Sequence, residues 1–239
     1  MTSRRNFVGS VVGAAVVAGT AGFFGGRLSS GTPSQQIDPT HGFTGLAGST
    51  PPKQPDHIVQ LLLKPRPPIP IPEFFFEPTG LFIEPGQTVM FRADTPDHTI
   101  TSFSNALGRT PRVPEGVPPF TSPVMAAGTY WLYTFEKEGV YDYYCAPHEI
   151  FGMVGRIVVG SASGPGTSEV PLPPPPERPP TPPLWSGALV LRDPALDPDN
   201  IISKGTVKWE SISAQAKLPM LAPVGGPPAG PVARPTVEG

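Results

Sequence analysis

Between His57 and Gly160 apolar residues recur in short runs broken by proline, glycine and acidic residues. HIVQLLLK (57–64) predicts a first strand, and PRPPIPIP (65–72) reads as a proline-broken connection. EFFFEP (73–78) and LFIEPGQTVMFRAD (81–94) supply aromatic and β-branched strand material. Within the second of these, Pro85 and Gly86 sit at the centre of a turn. Val89 and Phe91 then alternate with polar or solvent-facing neighbours, as a half-buried strand requires. Ser104 to Pro119 holds four prolines without a period and reads as a long loop. YWLYTFEKEGVYDYYC (130–145) predicts two strands split at Glu136–Gly139, and VGRIVVG (154–160) closes the series. Short strands, regular turns and no amphipathic helix of useful length imply an all-β antiparallel sandwich.

The flanks differ in composition. The chain has 239 residues, with 37 prolines and 27 glycines, too many for one compact body, so the foldable part is shorter than the chain. Residues 1–26 place Arg4 and Arg5 before an uncharged run, and SRRNFV resembles a twin-arginine export signal. A membrane anchor with its arginines left in the cytoplasm is the other reading. Either places the protein outside the cytoplasm, in the periplasm or on the outer face of the cytoplasmic membrane. Residues 27–55 read as a flexible tether, 56–160 as the folded domain and 161–183 as a disordered, semi-rigid Pro-rich linker. Residues 184–215 predict a small helix and strand: Asp197-Pro198 starts the helix, Gly205 ends it, and TVKWESI follows as a strand. That piece is too small for its own core and is expected to pack on the sandwich through Trp185 and Trp209. Residues 216–239 read as a disordered tail.

A net charge of −2 without a basic stripe gives no footprint for nucleic acid. The single cysteine, Cys145, rules out an internal disulfide framework. It opens the constellation Cys145, His148, Met153 on one loop between two predicted strands, and His98 in TPDHTI supplies a second imidazole. Taken singly, such residues are ordinary: a buried thiol, a surface histidine, a core methionine. Together they are a soft thiolate, two imidazoles and a thioether, the set used for blue-copper electron transfer. Zinc could take the same donors, though closed zinc sites favour more cysteines. His41 and His57 lie apart, Glu136 and Glu149 read as solvated charges, and Tyr141, Tyr143 and Tyr144 as strand packing.

At Tyr144, Cys145, His148, Met153, Gly155, Ile157 and Val159 the chain resembles the cupredoxins of the plastocyanin and pseudoazurin type. The resemblance covers FEPTGLFIEPGQTVMFRADTPDHTI and VYDYYCAPHEIFGMVGRIVVG. It implies a cupredoxin-like Greek-key sandwich holding one copper ion, Cu(I)/Cu(II), on His98, Cys145, His148 and Met153. It implies electron exchange through the edge of His148, within an apolar docking patch that includes Ala146, Pro147, Phe151 and Gly152, and a second route through Tyr144. The family often has asparagine where Thr99 stands, and a threonine hydroxyl can make a comparable hydrogen bond. The implied function is one-electron carriage between redox protein donors and acceptors, such as a membrane oxidase or reductase. No small-molecule substrate is implied. The alternatives are copper delivery or a redox subunit docked permanently on a membrane oxidase. Too few histidines remain for a multicopper oxidase, so the chain reads as no enzyme.

Overall fold

The structure, a computed structural model, describes residues 36–170 and 185–217. The expected export signal over 1–26, residues 27–35 of the tether, residues 171–183 of the Pro-rich linker, residue 184 and residues 218–239 of the tail lie outside the described residues. No helix among the described residues is long and apolar enough to cross a membrane.

Among the described residues ten strands form two five-stranded sheets, so the fold is an all-β sandwich. The first sheet runs β1 (Phe43–Leu46), β7 (Thr129–Phe135), β5 (Gln87–Ala93), β2 (His57–Arg66), β3 (Ile69–Glu77). The second runs β10 (Thr206–Val207), β4 (Gly80–Ile83), β9 (Val154–Val159), β8 (Gly139–Tyr144), β6 (Thr101–Ser102). Most neighbours are antiparallel, but β2–β5 and β4–β9 are parallel pairs. Hydrophobic periodicity carries no information about that direction. Val59, Leu61, Val89, Phe91 and Trp131 of one sheet meet Leu81, Ile83, Tyr141, Tyr143 and Ile157 of the other in the core.

Order begins earlier than His57. Within the expected tether, β1 pairs with β7, and the Trp131 indole N–H donates to the His41 carbonyl at 2.8 Å. Gly42 and Gly45 are there because a Cβ would collide with the Trp131 and Tyr130 side chains. The prolines of 65–72 do not break the hairpin either. Pro70 and Pro72 lie on β3, the outer edge of its sheet, and Pro65 falls at a register shift between Lys64 and Arg66. A missing N–H is tolerated at both kinds of position.

Residues 161–170 of the expected linker are packed on the sandwich. Val140 N–H donates to Ser163 O, Gly166 is pressed on Val140, and Val170 is buried. After the undescribed stretch, α1 (Trp185–Leu191) and α2 (Pro198–Lys204) follow. Asp197 caps α2 through Asp199 N and Asn200 N, and Gly205 ends it at a φ of 72°. Only Thr206–Val207 of TVKWESI is strand; Trp209–Ser211 is a 3-10 turn.

These segments build a second apolar cluster on the outer face of the second sheet: Val140, Tyr144, Val154 and Val158 beneath Ala188, Val190, Leu196, Ile201 and Trp209. Trp209 stacks on Phe75 at 5.3 Å, whereas the Trp185 side chain lies outside the described atoms. All six residues of β8 and all six of β9 are buried, because both faces are covered. That explains why YDYY shows no clean alternation.

Asp142 sits buried on that outer face and receives two guanidinium groups. Arg112 Nε reaches its Oδ2 at 2.6 Å, and Arg156 Nε its Oδ1 at 2.7 Å. Arg112 also donates to Gly166 O and Ser168 O, and Arg156 to Leu196 O. The cluster thus staples the C-terminal half onto β8 and β9. Asp142→Asn strands two buried cations and should cost about 3–5 kcal/mol in denaturant unfolding. Removing the surface pair Arg92–Asp94 should cost under about 1 kcal/mol.

Candidate metal centre

Two segments meet at one end of the sandwich. The first follows β5 through Asp97, held at a φ of 67°, to His98. His98 is fixed by an exchange with Met125: Met125 N–H donates to His98 O at 2.8 Å. The second is the loop from Cys145 to Met153, between β8 and β9. Cys145 N–H donates to Met153 O at 3.0 Å, and the His148 and Glu149 N–H groups both point to Cys145 O. Gly152 at a φ of 96° turns the chain back into β9.

His98 Nδ1, His148 Nδ1 and Cys145 Sγ form a compact triangle. Its sides are 3.2 Å between the nitrogens, 3.7 Å from sulfur to His98 and 3.4 Å from sulfur to His148. The centre of such a triangle lies about 2 Å from its corners, close to a metal–nitrogen bond length. Among the described residues this is the group of histidine, cysteine and acidic side chains whose donor atoms converge within 4.8 Å. Met153 is fully buried in the same core cluster as Cys145. His41 and His57 lie elsewhere, against Asp38 and Gln87.

The cluster is arranged for a cation. Burial, with His148 beside it, depresses His98 to about 4, and burial lowers His148. Burial pushes the Cys145 thiol up to about 11. Without an ion all three groups are therefore neutral at pH 7, with imidazole lone pairs available. Thr95 Oγ1, 2.8 Å from His98 Nε2, donates its own proton to Leu61 O. It therefore accepts from Nε2–H and leaves Nδ1 as the donor atom facing the cluster.

Residues 69–160 match the family of copper binding proteins, plastocyanin/azurin family. Residues 69–160 are a cupredoxin domain. The pseudoazurin of Methylorubrum extorquens is 31% identical over 85 residues, 36% of this chain and 51% of that protein. The pseudoazurin of Paracoccus pantotrophus is 33% identical over 87 residues, 36% of this chain and 54% of that protein. The chain thus spans about half the length of these relatives. A crystal structure of native pseudoazurin from Hyphomicrobium denitrificans shares 30% identity, with 44% of this chain and 76% of that one aligned at a TM-score of 0.36. The cupredoxin domain binds copper, and its thiolate, imidazole and thioether donors suit one such ion.

Thr99 ties the two segments of the cupredoxin site together. Its Oγ1 accepts from Ala146 N–H at 2.8 Å, and its own N–H donates to Cys145 Sγ at 3.3 Å. Thr99 Oγ1 also meets Thr101 Oγ1, which meets Thr121 Oγ1, each at 3.0 Å. A hydroxyl chain therefore joins both segments to the strand-like stretch around Thr121.

Two expectations for the rim are corrected. Glu149 is not a solvated charge: it is 3% exposed, with Oε2 receiving Arg109 Nη2 at 2.6 Å. Gly152 is not on the surface, because α1 covers it with Val190 and Ser186. Tyr144, expected both as strand packing and as a second route, is 5% exposed between Phe103 and the Arg109 guanidinium. Ala146 and Pro147 are exposed, and His148 and Phe151 half-buried. Phe74 was not visible in the sequence as a site residue. Its ring lies parallel to the His148 imidazole at 4.0 Å, yet the two are far apart along the chain.

Burial outweighs the Arg109 charge and pushes Glu149 up to about 7. The folded protein therefore holds this proton more tightly than the unfolded chain. Its contribution is favourable below the unfolded carboxyl range and is lost as pH rises through about 7. Denaturant unfolding of the metal-free protein at pH 5 and pH 8 should show wild type losing up to about 3 kcal/mol relative to Glu149→Gln.

Proposed function

We propose that the protein is an exported type 1 copper protein that carries single electrons between redox proteins and is not an enzyme. The observation that carries this reading is the triangle of His98, Cys145 and His148 donors, buried beside Met153. Copper, held by these four side chains, supplies a one-electron Cu(I)/Cu(II) couple. The chain's own part is to hold the donors still. Cys145 is pinned at its N–H by Met153 O and at its sulfur by Thr99 N–H, and His98 by Thr95. A site fixed by packing and hydrogen bonds rearranges little when its charge changes. His98, Cys145 and Met153 are fully buried, which leaves no open position for a substrate and does not favour ready metal release to an acceptor. Export agrees with SRRNFV at the N-terminus.

Partners would approach over His148, the least buried of the four. Exposed apolar residues lie around it, with Ala146, Pro147 and Ile150 on its own loop and Val124 next to Met125, which clamps the His98 backbone, while the exposed Asp97 carboxylate places a negative charge near the imidazole. A small apolar patch suits short-lived encounters. Entry through Tyr144 would need Arg109 to move aside, so the His148 side is the main route.

Loading the protein with Cu(II) should give an intense thiolate-to-copper absorption and a narrow parallel hyperfine splitting, both lost in Cys145→Ser. A colourless protein, or an ordinary tetragonal copper signal, would overturn the reading in favour of delivery or a structural role. Because burial keeps the thiol protonated to about 11, uptake at pH 7 should release one proton per ion. Apparent affinity should then fall about tenfold for each unit of pH lowered between about 6 and 9.

A further inference from the structure

The C-terminal segment reaches the metal end by two routes. The first runs through β3. Phe74 faces the sandwich interior, stacked on His148 at 4.0 Å and 11°, and on Phe151 at 5.4 Å. Phe75 faces the other way, stacked on Trp209 at 5.3 Å and 9°. Trp209 also bonds to both acids that bracket the phenylalanine run. Its indole N–H donates to Glu73 Oε2 at 3.1 Å and its backbone N–H to Glu77 Oε2 at 2.8 Å. The position of Phe74 along and across the sheet edge is therefore set from outside, by a residue of the C-terminal segment.

The second route runs through α1. Val190 and Ser186 pack on Gly152, and Gly187 lies so close to Val154 and Glu149 that a Cβ there would meet Val154 Cγ1 at 2.9 Å. α1 thus presses on the turn that immediately follows His148. An edge strand such as β3 is held on one side only and would otherwise be free to shift. Likewise the turn 149–152 would otherwise face solvent.

We propose that residues 185–217 brace His148 from two sides, with Phe74 and Trp209 as positioning residues for that imidazole. Phe74 fixes the plane of the ring by direct stacking, and Trp209 fixes Phe74 through Glu73, Phe75 and Glu77. The copper part of this inference rests on His148 being a ligand; the brace itself does not.

The test compares wild type with Phe74→Leu, Phe74→Tyr, Trp209→Leu and Glu73→Gln, and uses Phe135→Leu, in the core beside Gln87 at the β5 end away from His98, as a control that weakens the fold elsewhere. In the metal-free protein, the carbon-bound ring protons of His148 should show an upfield ring-current displacement in the proton NMR spectrum. Phe74→Leu should remove it, Phe74→Tyr should restore it, and Trp209→Leu should reduce it in the same direction. Glu73→Gln, which leaves the core untouched, should give a smaller reduction and decides the case should Trp209→Leu fail to fold. In the copper-loaded protein, Phe74→Leu and Trp209→Leu should alter the hyperfine splitting and speed copper loss by at least about tenfold, in the range of outer-shell changes. Phe135→Leu should lower the thermal midpoint with none of these effects. Unchanged His148 resonances in Phe74→Leu would overturn the proposal, as would a Trp209 or Glu73 variant that behaves like Phe135→Leu. A wild-type protein without a blue-copper signal would overturn the function proposed above, while the metal-free spectra would still decide the brace.

Discussion

The metal end of this protein depends on one backbone hydrogen bond, from Cys145 N–H to Met153 O, at the neck of the loop that joins β8 to β9. The antiparallel pair Tyr144 and Val154 lies just inside that neck, so the loop inherits the rigidity of the ladder. Within it, the carbonyl of Cys145 accepts from both His148 and Glu149, which winds the chain tightly enough to return the imidazole to the thiol. Cys145, His148 and Met153 then share one small volume without any long-range contact. The remaining imidazole has to be delivered across the sandwich. His98 is brought by the end of β5, and Thr99 joins the two segments through Ala146 N–H and Cys145 Sγ.

A hydroxyl at Thr99 changes how that junction is built. A threonine side chain offers one donor and accepting lone pairs on a single oxygen. Here the oxygen accepts from Ala146 and continues to Thr101 and Thr121. The junction therefore extends outward into the 120–126 stretch, whose Met125 also clamps the His98 backbone. Three segments rather than two share the burden of holding the site.

The second sheet is covered on its outer face as well as its inner one. Once the C-terminal segment lies there, Asp142 and Arg156, which face each other across β8 and β9, lose water. Burying them is tolerable because Arg112 completes the cluster and the spare guanidinium protons reach the carbonyls of Gly166, Ser168 and Leu196. The covering also reshapes the rim around His148. Gly152 and Glu149 go under α1, while Ala146 and Pro147 stay exposed.

Local features of the chain were legible because their causes are local. The strands follow from alternation and turn residues, and the C-x-x-H-x-x-x-x-M spacing places three donor types on one loop. Asp197 and Gly205 mark the ends of a helix by cap chemistry. Other signals were ambiguous for physical reasons. Gly42 and Gly45 read as flexibility, but they are small so that backbone can lie against Trp131 and Tyr130. Pro70 and Pro72 read as a break, but an edge strand tolerates them. Glu149 read as solvated because nothing near it in sequence reveals that α1 closes over it or that Arg109 arrives beside it. The sequence by itself determined the all-β character and the donor types. Only the tertiary structure decided the parallel strand pairs, the stacking of Phe74 on His148 and the covered outer face. Those depend on which surfaces meet after collapse, and pairing between distant segments leaves no periodicity in either one.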